Sequence, residues 1–235
     1  MIDFHEILDR MNQNQRINFD NVFQRMARRW QQEGVKPRVL LHSCCGPCST
    51  AVLDRLTGVA DVTVYYFNPN IHPEAEYRRR ELVQKQFIEA YNKETGHDVH
   101  FLAAPYEPET YFEAVKGLED EPEGGARCRV CFVQRMKATA EKMQELGYDY
   151  FTTTLTVSPH KNSQVINEVG RDIEDQYATP TCRRTSRKQR LPHIDENDRS
   201  LPLYRQPTAA ASSGPATGPG PGKNPPRCGS LSGRQ

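Results

Sequence analysis

No stretch of these 235 residues approaches the ~18 consecutive apolar residues that a membrane-spanning helix needs. Hydrophobic residues make up 36% of the chain, and the mean hydropathy is −0.77. The N-terminal MIDFHEILDRMNQNQ has no basic start followed by an apolar stretch, which argues against a secretory signal. A cytoplasmic protein with no membrane partner is therefore expected. Seven cysteines in that compartment are poor material for a disulfide framework and read better as ligands or redox groups. Internal repeats are also missing.

The net charge of +1 conceals an asymmetry: residues 178–235 hold ten Lys+Arg against three Asp+Glu, and residues 1–177 hold 21 against 27. The same tail carries nine of the 17 prolines and no Val, Phe, Met or Trp. Such a segment has too little apolar surface to offset the entropy of ordering, so a disordered, basic, proline-rich tail is expected over 178–235. The remainder is large enough for one core.

Within it, the first 33 residues read as helical, with Phe4, Ile7, Leu8 and Met11 on one face and Phe19, Val22, Phe23 and Met26 on the next. This N-terminal helical segment occupies 1–34, and a single domain follows over 35–177. Arg38–His42 is a short apolar run, read as a buried strand, and Ala51–Leu56 as a helix. Asp61–Phe67 and His97–Ala103 are the next strands, and Tyr148–Leu155 the fourth. Helices are predicted over Glu74–Thr95 (Leu82, Phe87 and Tyr91 inward), Glu109–Leu118, a segment ending at Leu146, and Asn162–Tyr177. Strand and helix alternate throughout, which predicts an α/β fold with a Rossmann-like parallel sheet. Ligands in such sheets sit outside the carboxyl ends of the strands. Cys44 and Cys45, the Asn68–Pro73 loop and Ser158–His160 all fall at that edge.

Cys44, Cys45 and Cys48 share one turn, and Cys128 and Cys131 form a Cys-x-x-Cys at the start of another helix. Helix N-termini favour thiolates. The vicinal Cys44-Cys45 pair is poor geometry for a structural zinc knuckle, and clustered soft thiolates suit an iron–sulfur cluster; zinc remains the alternative. Weaker features have plainer readings. Tyr77-Arg-Arg-Arg80 reads as a solvated helix face before an RNA contact, His72 and His160 as loop residues before catalytic acids, and Thr152–Thr154 as β-propensity.

Four segments carry a resemblance: His42-Ser-Cys-Cys-Gly-Pro-Cys-Ser-Thr50, Tyr66-Phe-Asn-Pro-Asn-Ile-His-Pro73, Glu121-Pro-Glu-Gly-Gly-Ala-Arg-Cys-Arg-Val-Cys131, and Tyr150-Phe-Thr-Thr-Thr-Leu155 with Ser158-Pro-His-Lys161. Over residues 36–177 the chain resembles the cobalamin-independent epoxyqueuosine reductases of the QueH type. The resemblance implies a Rossmann-like domain of the nucleotide α-hydrolase type that binds a [4Fe–4S] cluster, with an additional mononuclear iron as a further expectation. It also implies reduction of epoxyqueuosine to queuosine at the wobble position of tRNA, the last step of that pathway. The partners it implies are the tRNA anticodon loop and an electron donor. Carried over residue by residue, Cys44, Cys45, Cys128 and Cys131 would be the cluster ligands, with Cys48 nearby.

The chain departs from that family at its end, where an Asp-Phe-Lys/Arg patch and a redox Tyr-Cys-Gly-Cys motif are expected. A coding run for Tyr-Leu-Pro-Ser-Asp-Phe-Lys-Lys, read one base late, gives Thr-Cys-Arg-Arg-Thr-Ser-Arg-Lys, which is residues 181–188. One for Tyr-Cys-Gly-Cys-Val-Phe-Gly-Pro gives Thr208–Pro215, while Leu203-Tyr-Arg-Gln206 fits the family's own frame. Much of the tail thus reads as out-of-frame translation. Two rival functions stand beside the resemblance. A tRNA sulfur-transfer enzyme would show a Gly-rich phosphate loop where Ser43–Cys48 stands. A zinc-bound RNA-binding module would need no catalysis.

Overall fold

The computed structural model describes residues 18–177. The expected helix face at Phe4, Ile7, Leu8 and Met11 and the whole tail from 178 onward lie outside the described residues. Helix α1 (Phe19–Glu33) starts where Asn18 caps the amides of Asp20 and Asn21, and it ends at Gly34, whose φ of 65° suits a residue without a Cβ. Phe19, Val22, Phe23, Met26 and Trp30 recur at helical spacing and are all buried.

Four strands follow: β1 (Arg38–His42), β2 (Asp61–Tyr66), β3 (His100–Ala103) and β4 (Tyr150–Thr153). They form one parallel sheet in the order β3-β2-β1-β4, with Leu41 in register with Val64 on one side and Thr152 on the other. Val39, Leu40 and Leu41 are fully buried because β1 is covered on both faces, which is why its sequence is an unbroken apolar run. On one face, Val39 and Leu41 meet α1, α2 (Gly46–Leu56) and α3 (Glu74–Thr95). On the other, Leu40 and Phe151 meet α4 (Pro108–Ala114), α5 (Ala126–Leu146) and α6 (Ser163–Tyr177). This three-layer arrangement is the expected α/β fold.

Three expectations are corrected. The third strand begins at His100, later than His97, because Val99 is tied through both its N–H and its carbonyl to the Asn92 side chain at the end of α3. The fourth ends at Thr153, whose hydroxyl accepts from the Leu155 amide and starts a 3₁₀ turn over Thr154–Val157. Leu82 is 56% exposed. The buried face of α3 runs through Tyr77, Gln84, Phe87, Ile88 and Tyr91, and Leu82 lies two residues, about 200°, away from Gln84.

The chain leaves β1 for β2 and β3 on one side and returns to β4 on the other. The crevice between the β1 and β4 ends is therefore where the sheet changes direction, the place such folds reserve for ligands.

Candidate metal centre

Beyond His42 the chain turns sharply through Ser43 and Cys44 and enters α2. Cys45 is the cap residue in extended geometry, and its side chain makes no capping bond. The first-turn amides of α2 thus face the crevice without a side-chain cap. The cysteine sulfurs gather there: the Sγ atoms of Cys44, Cys45 and Cys48 all lie within 4.8 Å of one another. Cys44 and Cys48 are half-buried and Cys45 is buried. Cys48, expected only near the site, is an equal member of the trio.

Two serines fix this turn from below. Ser43 Oγ and Ser49 Oγ are 2.7 Å apart, and both donate to Gln84 Oε1, at 3.0 and 3.3 Å. Each also approaches the Cys45 carbonyl, at 3.3 and 3.1 Å. Gln84 is fully buried, a polar residue on an otherwise core-facing stripe of α3.

The trio shares its protons unequally. Hydrogen bonds from Cys45 and then Cys48 hold the Cys44 thiol well below its ordinary range, against the opposing effect of burial, and the charges of Arg135 and Lys161 assist. The same bonds push Cys45 up to about 12 and Cys48 well above the usual thiol range. Three thiols sharing protons in this way form a ligand set for a thiophilic metal, whose binding would expel those protons. The donors are all soft sulfur, which fits iron–sulfur chemistry or zinc and does not fit a hard cation such as Mg²⁺.

Cys128 and Cys131 stand at the start of α5. Gly124 has a φ of 90° and donates its amide to Cys128 Sγ at 3.3 Å. A Cβ on Gly125 would come within 3.1 Å of the Pro122 carbonyl, a tight approach to backbone. Cys131 is wholly buried. These two sulfurs are not part of the compact trio among the described residues. Arg135 links the two groups, donating from Nη1 to Cys131 Sγ at 3.7 Å and from Nε to His42 Nε2 at 3.3 Å.

The expected meeting of loops at the strand ends is found. Asn68 donates to the Ser43 carbonyl at 2.9 Å, and Cys44 Sγ lies 3.8 Å from Thr154 Oγ1. Cys128, Phe132, His160, Lys161 and Val165 line an open, shallow pocket between α5 and the loop before α6. His72 packs edge-on against Phe112, with centroids 5.3 Å apart. Arg78 pairs with Glu74 and Glu81 on the exposed face of its own helix, while the Arg80–Glu76 pair is largely buried.

Sequence reasoning missed Arg135, Gln84 and the site roles of His42 and Asn68. Arg135 was discoverable as the residue one helical turn after Cys131. Gln84 stands seven residues from both Tyr77 and Tyr91, the repeat of the buried face.

A family model for "Epoxyqueuosine reductase QueH" matches residues 39–209, which include the two cysteine motifs and the ends of β1, β2 and β4. The chain belongs to the QueH family. A QueH named as an epoxyqueuosine reductase in Streptococcus pyogenes serotype M1 is 56% identical over 179 residues, covering 76% of this chain and 70% of that protein. The QueH of Staphylococcus epidermidis is 47% identical over 179 residues, 75% of each chain. That of Thermotoga maritima is 34% identical over 143 residues, 59% of this chain and 69% of its own. The QueH match continues past Tyr177 and takes in Leu203–Gln206, the segment that reads in the family's frame. Membership in this oxidoreductase family sets aside the sulfur-transfer rival. Among the described residues of this QueH, no helix is long and apolar enough to cross a membrane.

Proposed function

We propose that this chain reduces epoxyqueuosine to queuosine in the anticodon loop of tRNA, with an iron–sulfur cluster held by Cys44, Cys45, Cys128 and Cys131 and adjoined by Cys48. The observation that carries the reading is the trio of sulfurs at the carboxyl end of the central strand, in a QueH family member. Converting an epoxide to an alkene takes two electrons and two protons and releases water. A bound cluster supplies the electrons and an iron that can polarise the epoxide oxygen.

The chain's own residues do the rest. The pocket beside Cys128 offers Phe132 and Val165 as an apolar wall for the cyclopentane ring, with Lys161 and His160 at its polar side. Lys161, on the wall of that pocket, is the side chain that would donate a proton to the departing oxygen. A wobble base reaches such a pocket because a single-stranded loop can splay it out at modest cost. The second iron expected from the resemblance would take the remaining sulfur.

The test is anaerobic incubation of reconstituted protein and a chemical reductant with tRNA carrying epoxyqueuosine, followed by nucleoside analysis. Appearance of queuosine supports the reading, and unchanged epoxyqueuosine with a fully loaded protein contradicts it.

One observation favours a second reading. Cys44 Sγ and Cys45 Sγ are 3.8 Å apart, the edge expected for a tetrahedron built on metal–sulfur bonds of about 2.3 Å. A single zinc ion would sit there without sulfide. Metal and sulfide analysis separates the two.

A further inference from the structure

Arg135 is 2% exposed, and each of its guanidinium nitrogens has a definite task. Nη2 donates to Asn68 Oδ1 at 2.6 Å, and Asn68 is held in turn by its bond to the Ser43 carbonyl, next to Cys44. Nε donates to His42 Nε2 at 3.3 Å, and Nη1 to Cys131 Sγ at 3.7 Å. One buried cation therefore touches the last residue of β1, the loop after β2 and the second cysteine motif. A guanidinium stays charged at every pH a protein survives, and it docks in a fixed fork that lysine cannot reproduce. In a poorly solvated site its field on nearby sulfur is weakly screened. Reduction adds one electron and makes a cluster one charge more negative, so a fixed positive charge beside it favours the reduced form.

We infer that Arg135 is a positioning residue with an electrostatic role: it aligns Cys131 with the Cys44–Cys48 turn and makes the cluster held between them easier to reduce. The inference rests on the iron–sulfur reading.

The test uses the full chain, reconstituted anaerobically, as wild type, Arg135→Gln and Arg135→Lys. Three readouts are taken: circular dichroism, iron and sulfide content, and the midpoint potential in a dithionite titration. Glutamine keeps a hydrogen-bonding amide without charge, and lysine keeps charge without the fork. In Arg135→Gln the equilibrium for reduction should fall at least tenfold, about 59 mV for a one-electron couple. Arg135→Lys should stay within about threefold of wild type by the same conversion. A Gln chain that folds but does not load, beside a Lys chain that does, also supports the role of charge. Equal midpoints for wild type and Gln, or a Lys chain as hard to reduce as Gln, overturn it. Neither variant loading despite native circular dichroism supports alignment by the fork and overturns the electrostatic role. Wild type that holds zinc and no sulfide removes the iron–sulfur reading and this inference together.

Discussion

His42 Nδ1 lies 2.9 Å from Thr153 Oγ1, joining the last residues of β1 and β4 across 111 positions of sequence. The other ring nitrogen lies 3.3 Å from Arg135 Nε and 3.1 Å from the Phe67 carbonyl, so it faces a donor and an acceptor together. Burial first, and the Arg135 charge second, lower the His42 pKa from 6.5 to about 3. The ring is therefore neutral wherever the protein is folded.

That shift fixes a sign. Between pH 6.5 and about 3 the unfolded chain binds a proton at this position that the folded chain refuses. His42 thus contributes little to pH dependence more than about one pH unit above 6.5, and stability falls as pH drops through it, by at most about 1.4 kcal/mol per pH unit. Urea unfolding of the metal-free protein from about pH 7 down to about pH 5 should show a steeper loss for wild type than for His42→Gln. Parallel curves would mean that His42 titrates normally in the fold.

Gln84 is the anchor of the cysteine turn. Replacing it with leucine preserves volume but removes the acceptor shared by the Ser43 and Ser49 hydroxyls. The expected cost is about 1–3 kcal/mol in denaturant unfolding, with lower iron occupancy because Cys45 loses its support. Unchanged stability would show that the Cys45 carbonyl alone satisfies both serines.

The four proposed ligand cysteines should behave as one unit. Cys44→Ala, Cys45→Ala, Cys128→Ala and Cys131→Ala should each lose the visible chromophore after anaerobic reconstitution. Cys182→Ala and Cys228→Ala should keep it, because both lie in the segment that reads out of frame. A Cys128→Ala protein with full iron would remove α5 from the ligand set.

Much of this architecture is legible in the sequence because it rests on local signals. The unbroken run Val39-Leu40-Leu41 marks a strand covered on both faces, and Gly34 and Gly96 mark helix ends by their positive φ. The cysteine motifs announce themselves by spacing. The polar scaffold beneath them does not, because it is assembled from distant positions. Asn68 reads as turn chemistry and Gln84 as part of a charged helix, and only folding brings them against Ser43. Leu82 was misplaced because a long helix with few apolar residues leaves its phase to polar residues such as Gln84, which the hydrophobic pattern ignores. The strand ends at His100 and Thr153 likewise depend on the side chains of Asn92 and Thr153, each satisfying backbone groups that a propensity reading assigns to the sheet.

The tail yields its own prediction. We propose that the frame is lost near Thr181, regained near Leu203 and lost again after Gln206, so that a Tyr-Cys-Gly-Cys segment is replaced by Thr208–Ser212. A chain with the frame restored should reduce epoxyqueuosine-tRNA faster than the present one, since it regains two redox thiols and an acidic patch able to support an iron. Equal turnover from the two proteins would show that the tail is dispensable. Resequencing that finds these codons intact, with no frame-restoring indel, would remove the sequencing-error explanation.

The most direct test of the whole account is iron and acid-labile sulfide analysis of the anaerobically purified protein, read beside its visible spectrum. The account predicts a coloured protein containing both iron and acid-labile sulfide, with iron at least equal to sulfide and in excess of it where the mononuclear iron is bound, and the chromophore lost when Cys44 is replaced. A colourless protein carrying stoichiometric zinc and no sulfide would contradict it and leave the sulfur trio as a single-ion site.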